Sequence, residues 1–145
     1  MKYYIRDGRR FVKIQSAVGM YYNTDGSFTS IQTSESIGVC IVDDFEKIVI
    51  ASIHHLERPM NWFDAKAACE NLGDTNHIWY LPSLTEVMIA TKIEGARSIF
   101  NWMNTIVWTS SQFDAHRAYY WTISPYGTGS KYNSSVVVPF LTLYK

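Results

Sequence analysis

Trp79-Tyr80-Leu81-Pro82-Ser83-Leu84-Thr85-Glu86 is the stretch that decides how this chain folds. Pro82 has no amide hydrogen and restrains Leu81 to extended backbone, so a strand has to end here. Ser83 is a favourable helix N-cap. Glu86 stands three residues later, where its carboxylate can bond back to the Ser83 amide. The stretch therefore predicts a strand end, a corner, and a helix that begins at Ser83.

Another helix is predicted earlier in the chain, over residues 62–72, and it is the first of the two. Asn61 is placed to cap it and Gly73 is placed to end it. Its apolar residues recur at helical spacing and form one face, made of Ala65, Ala68, Cys69 and Leu72. The helix that follows the corner is expected over residues 83–93. Helical or irregular chain then continues to about residue 103, with a break at Gly95.

Antiparallel strands are predicted in the rest of the chain. Residues 3–31 contain short strands with turns at Asp7-Gly8 and Thr24-Asp25-Gly26-Ser27. The β-branched runs 37–42 and 47–53 predict a hairpin. Strands return near the C-terminus, at Trp108, residues 119–123 and residues 136–144. The expected fold class is α+β, with two helices packed on antiparallel sheets in a single domain of residues 1–145. The residues expected to be buried in its core are Ala65, Cys69, Leu72, Leu81, Val87, Trp108, Trp121 and Val138.

Composition limits the classes of partner. Hydrophobic residues are 47% of the chain and charged residues 18%, as in globular proteins. The 13 basic and 13 acidic side chains cancel, and no cluster of Lys or Arg offers a phosphate-binding face. Nucleic acid is therefore not an expected partner. The first residues lack an apolar signal region, and no run approaches the about 20 apolar residues of a membrane span. Neither a signal peptide nor membrane insertion is expected.

Side chains that could support catalysis or bind a metal are scattered along the sequence. His54 and His55 are neighbours on a strand, so their rings point to opposite faces. Asp43-Asp44 with Glu46 lacks the spacing of a calcium loop. Ser110-Ser111 lies outside a nucleophile elbow. We therefore expect no enzyme activity, no cofactor and no obligatory metal.

The two cysteines are expected to act as small buried hydrophobes. Cys40 stands in a Val-Cys-Ile-Val run, and Cys69 stands on the apolar face of the first helix. A disulfide between Cys40 and Cys69 is a second interpretation that the sequence leaves open.

Residues 112–133 differ in kind from the rest of the chain. They combine Tyr, Ser, Gly and Asn with one Arg and one Lys, a composition typical of antibody binding surfaces. Tyr supplies contact area at a small entropic cost, and Ser and Asn supply adaptable hydrogen bonds. The other interpretation is a β-meander whose tyrosines pack on the core. The sequence alone leaves both open.

Several stretches occur together in an order that resembles the C-type lectin fold in its compact bacterial and phage form. The resemblance covers about two thirds of the chain, and residues 1–36, an N-terminal β segment, carry little of it. It is similar to proteins with a "W-R-L-P-S…E…W-S-S" pattern, common in gut Bacteroidetes and their phages, and to the variable proteins of diversity-generating retroelements. The stretches are Ile37-Gly38-Val39-Cys40-Ile41-Val42, the helix 62–72, Trp79-Tyr80-Leu81-Pro82-Ser83 with Glu86, Trp108-Thr109-Ser110-Ser111, Tyr120-Trp121 and Val137-Val138-Pro139-Phe140-Leu141.

The resemblance implies a binding role for the segment that follows Gln112. In retroelement-linked members, mutagenesis at adenines turns AAY codons into NNY, which cannot encode Gln, Met, Lys, Glu or Trp. Ser124 is a residue that such a codon can encode. Gln112, Trp121 and Lys131 are not, so these three positions would have to be fixed scaffold. The positions expected to bind the ligand also avoid them, and are Phe113, Asp114, His116, Arg117, Tyr119, Thr122, Tyr126, Thr128, Ser130, Tyr132 and Asn133.

The sequence departs from the enzymes and calcium-dependent lectins of this fold. Glu57-Arg58-Pro59 is not the calcium–sugar motif, and Trp121 is followed by Thr122 and Ile123. Residues 136–145 contain no cysteine for the usual helix-to-last-strand disulfide or for the cysteine pair of formylglycine-generating enzymes. A calcium–sugar site and an enzyme are therefore not implied.

Two functions follow as hypotheses. The first is a phage receptor-binding or bacterial surface module that recognises a protein or glycan receptor on a cell. Such a module would itself be part of a virion or of a cell surface. The second is a structural module of a phage tail or capsid, with tail subunits or further copies of itself as partners.

Overall fold

The computed structural model describes residues 2–7, 10–73 and 77–145, with side chains from Ser16 onward within those ranges. It is a mixed α+β structure with three helices and mostly antiparallel strands. The strands are β1 (Lys2–Asp7), β2 (Arg10–Gln15), β3 (Tyr21–Asn23), β4 (Phe28–Thr29), β5 (Ser36–Asp43), β6 (Lys47–Ser52), β7 (Trp79–Tyr80), β8 (Val107–Gln112), β9 (Arg117–Trp121), β10 (Tyr126–Ser130) and β11 (Phe140–Tyr144). The helices are α1 (Trp62–Glu70), α2 (Leu84–Thr91) and α3 (Ala96–Ile99).

The strands form three sheets. A six-stranded sheet has the order β4-β3-β5-β6-β11-β7, a three-stranded sheet has the order β10-β9-β8, and β1 pairs with β2. All of these strand pairs are antiparallel. The predicted hairpins β3–β4 and β5–β6 are confirmed. The predicted turn at Asp7-Gly8 falls partly outside the described residues, because Gly8 is not among them.

The corner at residues 79–86 forms as predicted. The Ser83 hydroxyl accepts a hydrogen bond from the Glu86 amide at 3.1 Å, and the Glu86 carboxylate accepts one from the Ser83 amide at 2.9 Å. The other Glu86 oxygen accepts from the Tyr80 hydroxyl at 2.7 Å. The strand β7 ends just before Leu81, as the following proline requires. A reciprocal capping box therefore starts α2 at the position predicted.

The first helix begins as predicted and ends earlier. The Asn61 side chain accepts a hydrogen bond from the Asp64 amide, which caps α1. The helix ends at Glu70, so Leu72 lies beyond it and is 46% exposed. The prediction that Leu72 is buried is therefore wrong. Gly73 has a different role from a helix cap, since a Cβ there would lie 2.8 Å from the His77 carbonyl oxygen. The chain needs glycine at 73 for this close approach.

The core lies between the large sheet and the helices. One cluster joins β5, β6 and β11 to α2 and the segment 100–107, with Trp102 and Trp121 in edge-to-face contact at 5.9 Å. A second cluster joins α1 to β8 and β9. The remaining residues predicted to be buried are buried, and are Ala65, Cys69, Leu81, Val87, Trp108, Trp121 and Val138.

The two cysteines are buried, free and in different clusters. Cys40 lies in the cluster between β3 and β5–β6, and Cys69 lies beside α1. Burial raises the pKa of both thiols to about 12. The expectation of small buried side chains is confirmed, and the open question of a disulfide is answered in favour of free thiols.

Candidate binding surface

The segment 112–133 folds as two strands of the three-stranded sheet and the turns around them. In β9 and β10 the pairs are Arg117 with Ser130, Tyr119 with Thr128, and Trp121 with Tyr126. Paired residues of an antiparallel sheet point to the same face. These six side chains therefore share one face, and the residues between them point to the other.

Both faces of these strands contribute to the core. On the first face Trp121 is buried against Trp102, and the opposite face packs on α1 and β8. Ala118 is buried between α1 and β8, and the Tyr120 ring lies across the strand over two glycines. A Cβ at Gly127 would lie 2.5 Å from the Tyr120 hydroxyl oxygen, and one at Gly129 would lie 3.4 Å from the ring. The two glycines on either side of Thr128 therefore leave the space that the Tyr120 ring occupies.

None of the eleven predicted ligand-binding residues is buried. Those that are exposed are Phe113, Asp114, His116, Arg117, Tyr126, Tyr132 and Asn133, and those of intermediate exposure are Tyr119, Thr122, Thr128 and Ser130. Of the three positions that would have to be fixed scaffold, Trp121 and Lys131 are buried, whereas Gln112 is exposed. The alternative of a β-meander with tyrosines packed on the core therefore holds for Tyr120 and not for the exposed Tyr126 and Tyr132.

Four of these side chains form one contiguous aromatic cluster, made of Phe113, Arg117, Tyr119 and Tyr126. The ring of Tyr119 contacts Phe113 at 5.8 Å and Tyr126 at 5.9 Å, both edge to face. The Arg117 guanidinium lies over the Phe113 ring at 4.5 Å. The cluster presents aromatic edges and one cation, which are the groups that dominate protein-binding hot spots.

Asp114 holds the turn beside this cluster. One carboxylate oxygen accepts hydrogen bonds from the amides of His116 at 2.9 Å and Arg117 at 2.8 Å. The other pairs with the Arg117 guanidinium at 3.1 Å. The bond from the His116 amide, followed by the Arg117 contacts, holds the pKa of Asp114 below its usual value in spite of some desolvation. The carboxylate is engaged by the chain itself, so Asp114 acts here by placing Arg117.

Tyr132 belongs to a second patch. Its ring contacts Phe63 of α1 at 5.7 Å, and both rings are exposed to solvent. Asn133 stands in the same turn, where its amide donates to the Ser130 carbonyl. Sequence analysis missed Phe63, although its position on the helix offered a signal. It lies off the face formed by Ala65 and Cys69, where a large aromatic has no core to fill.

Thr122 lies away from both patches. Its hydroxyl accepts a hydrogen bond from the Ser124 amide at 3.2 Å in the β9–β10 turn. It lines a cleft together with side chains of α2 and α3, among them Met88 and Arg97. The residues expected to cluster on one side are Tyr119, Tyr126, Tyr132, Arg117, His116 and Asn133. Arg117, Tyr119 and Tyr126 lie in the aromatic cluster, whereas Tyr132 and Asn133 lie in the second patch.

Lys131 ties three segments together and is 2% exposed. Its ammonium donates to the Gln112 side chain at 2.6 Å and to the Ala115 carbonyl at 3.1 Å, and it lies over the Trp62 ring at 4.5 Å. Its backbone donates to the His116 carbonyl and accepts from the Trp62 amide. A single side chain thus fixes the β8–β9 turn against the start of α1.

The three-stranded sheet is also anchored to the corner and to α1. Thr109 is buried, its carbonyl accepts from the Trp62 indole at 2.8 Å, and its hydroxyl donates to the Tyr119 carbonyl. The Ser111 hydroxyl accepts from the Leu84 amide at 3.0 Å. These bonds use the polar groups of the Trp108-Thr109-Ser110-Ser111 stretch to hold the sheet that displays the aromatic cluster.

Among the remaining titratable groups, the Asp43 carboxylate pairs with the Lys145 ammonium at 2.7 Å. Within the described ranges, no three His, Cys, Asp or Glu side chains lie close enough to hold a metal ion. The His55 ring bonds the Leu56 carbonyl, and the Asp44 carboxylate accepts from the amides of Glu46 and Lys47. None of the helices in the described part of the chain is long and apolar enough to cross a membrane.

Comparison with known proteins assigns no family. No protein-family model matches the chain, and no curated protein matches it.

Proposed function

We propose that this chain is a non-enzymatic binding module that displays a variable surface on a C-type lectin-like scaffold, and that its ligand is a protein or glycan receptor on a cell surface. One observation carries the proposal: the eleven expected ligand-binding positions of residues 113–133 are all exposed or half-exposed, while three other positions in the same range are buried. The buried ones, Ala118, Trp121 and Lys131, hold the strands. Exposed side chains on fixed strands can change without loss of the core.

The arrangement of the elements supports the same scaffold. In chain order, α1, the corner at residues 79–86 and α2 stand between β6 of the large sheet and β8, the first strand of the separate three-stranded sheet. That small sheet carries the aromatic cluster, and its polar backbone and hydroxyl groups are anchored to α1 and the corner. Binding residues held on rigid strands lose little conformational freedom when a ligand binds.

A pair of displayed libraries tests this proposal. One library randomises the exposed positions Phe113, Arg117, Tyr119, Tyr126 and Tyr132 together. The matched library randomises five buried positions of the same frame, namely Trp62, Trp108, Ala118, Trp121 and Lys131. We expect most members of the first library to resist protease and to yield binders against cell-surface protein and glycan probes. Equal loss of protease resistance in both libraries would overturn the proposal.

An alternative function is a structural module of a phage tail or capsid. It is favoured by exposed apolar side chains far from the aromatic cluster, at a cleft of about 640 Å³ along β7 and β11. Ile78 is 76% exposed there, and Tyr144 is 80% exposed. An Ile78→Ser/Tyr144→Ser double variant separates the two functions. Under the alternative it would fail to assemble with neighbouring subunits, and under the main proposal it would bind cells as the parent does.

A further inference from the structure

The outer edge of β10 is a strand edge without the usual protection. β10 is the last strand of its sheet. Natural edge strands avoid pairing with other chains through charged residues, proline or bulges. Residues Tyr126-Gly127-Thr128-Gly129-Ser130 contain no charge and no proline, and their register with β9 has no bulge.

The hydrogen bonds at the two ends of β10 show which backbone groups point outward. The Thr122 amide donates to the Pro125 carbonyl, and the Lys131 amide donates to the His116 carbonyl. Bonded pairs recur at every second residue of an antiparallel ladder. Gly127 and Gly129 therefore direct their backbone groups toward β9.

Tyr126, Thr128 and Ser130 consequently direct their amides and carbonyls away from the sheet. The Ser130 carbonyl accepts from the Asn133 amide at 3.0 Å. The other outward backbone groups have no protein partner among the residues that the structure describes. They are the amide and carbonyl of Tyr126, the amide and carbonyl of Thr128, and the amide of Ser130.

This row of groups is self-complementary about Thr128. A second copy of β10, running antiparallel with Thr128 opposite Thr128, places Tyr126 opposite Ser130 on both sides. Each outward amide then meets an outward carbonyl, and the Ser130 carbonyl has a second lone pair for its new donor. Such matching requires that the central residue be an outward-facing one, as Thr128 is. The glycines on either side bring no Cβ between the two edges.

We propose that the β10 edge binds a second copy of this chain as an antiparallel strand pair centred on Thr128. The contact joins two three-stranded sheets into one through a two-fold axis, which is the commonest symmetry of soluble oligomers. The formal net charge of +0 adds no long-range repulsion between copies.

The pairing has a consequence for the surface. A two-fold axis perpendicular to the sheet keeps corresponding faces on the same side. The two aromatic clusters would therefore lie side by side on one continuous sheet, because the Tyr126 and Thr128 side chains share the face of Tyr119. Two adjacent sites bind a multivalent surface with an effective concentration that a single copy lacks. The dimer itself needs no ligand, so it can be tested separately from the proposed binding function.

Cysteine cross-linking tests the register. In the paired strands the two residues at position 128 would have Cα atoms about 5.5 Å apart, within the reach of a disulfide. Residues at position 126 would be roughly 13 Å apart, at about 3.3 Å per residue. On mild oxidation we expect Thr128→Cys to form a covalent dimer and Tyr126→Cys to stay uncross-linked. Cys40 and Cys69 are buried and do not compete.

The unmodified protein supplies a second measurement. Analytical ultracentrifugation is expected to show a reversible monomer–dimer equilibrium for the parent. Thr128→Pro should be monomeric, because it removes an outward amide that the fold does not use. A parent that stays monomeric up to its highest soluble concentration would overturn the proposal, as would equal cross-linking of Thr128→Cys and Tyr126→Cys. Either result would leave the proposed ligand-binding function intact.

Discussion

Tyrosine has different roles in two regions of this molecule: one tyrosine holds the fold, and others are exposed to solvent. In the corner at residues 79–86, the Tyr80 hydroxyl donates to Glu86 at 2.7 Å and is 2.7 Å from the Thr142 hydroxyl. Its burial raises the pKa of the phenol. On the binding surface, Tyr126 is 49% exposed and Tyr132 is 71% exposed, and each contacts another aromatic ring. The corner uses its polar groups internally, whereas the surface leaves them to solvent.

This difference separates residues that hold the fold from residues that are available to a partner. A buried polar group that bonds within the chain is costly to remove, because its partner is left unsatisfied. An exposed side chain leaves little behind when it is truncated. Substitutions in the two regions should therefore differ in their effect on the free energy of unfolding, and the following variants test that difference from the largest effect to the smallest.

The largest effect is expected at Lys131, which lies in the surface segment 112–133 but is one of the buried residues that hold its strands in place. Lys131→Ala should lower the free energy of unfolding by about 2–3 kcal/mol, since it removes two hydrogen bonds, the contact of the ammonium with the Trp62 ring and the buried stem. Lys131→Met keeps the stem and should cost about 1 kcal/mol. Urea unfolding measures both variants. Lys92→Ala, at an exposed lysine, is the control, and a Lys131→Ala variant as stable as this control would remove Lys131 from the frame.

A smaller effect is expected at one of two glycines on β10. Gly127→Ala should cost about 1–2 kcal/mol, because its Cβ would meet the Tyr120 hydroxyl and force the ring to move. Gly129→Ala is the matched control. Its Cβ would lie 3.4 Å from the same ring, so its stability should stay within about 0.5 kcal/mol of the parent. Thermal melts compare the two. Equal losses would show that Tyr120 does not rest on Gly127.

The capping box of α2 is expected to contribute less. Ser83→Ala should lower the free energy of unfolding by about 1 kcal/mol, since the Glu86 amide loses its acceptor. Ligand binding should be unchanged at temperatures where the variant stays folded. Ser98→Ala, at an exposed serine, serves as the control in denaturant titrations. Weaker binding by a fully folded Ser83→Ala variant would place the corner in the binding site.

The starts of the helices could be predicted because the information is local. Asn61 and Ser83 each accept a bond from an amide three residues later, and the sequence shows both partners. The end of α1 could not be predicted in the same way. The apolar spacing continues to Leu72, past the last helical residue Glu70, so the pattern does not mark where the helix ends.

The candidate surface was predictable in composition, but neither the burial of Trp121 nor the anchoring of the small sheet was. Period-two alternation in a strand separates Tyr119 from Ala118 without reference to the rest of the fold. The burial of Lys131 depends on Trp62, and the position of Tyr132 depends on Phe63, both of which lie far away in the sequence. Such pairs form only when α1 packs against the small sheet.

The smallest effect on stability, and the largest on binding, is expected at Tyr126. Tyr126→Ala removes an exposed ring that contacts the Tyr119 ring, so the free energy of unfolding should change by no more than about 0.5 kcal/mol. If Tyr126 anchors the ligand, the same change should weaken binding to receptor-bearing cells by about 1–2 kcal/mol or more. Tyr144→Ala is the control, because Tyr144 is also exposed to solvent but lies on β11, outside the aromatic cluster. Thermal melts and titration of labelled protein on cells separate the two quantities for each variant. A Tyr126→Ala protein that melts far below the parent would make this ring part of the fold, and equal losses of binding in both variants would show that tyrosine exposure alone does not define the surface.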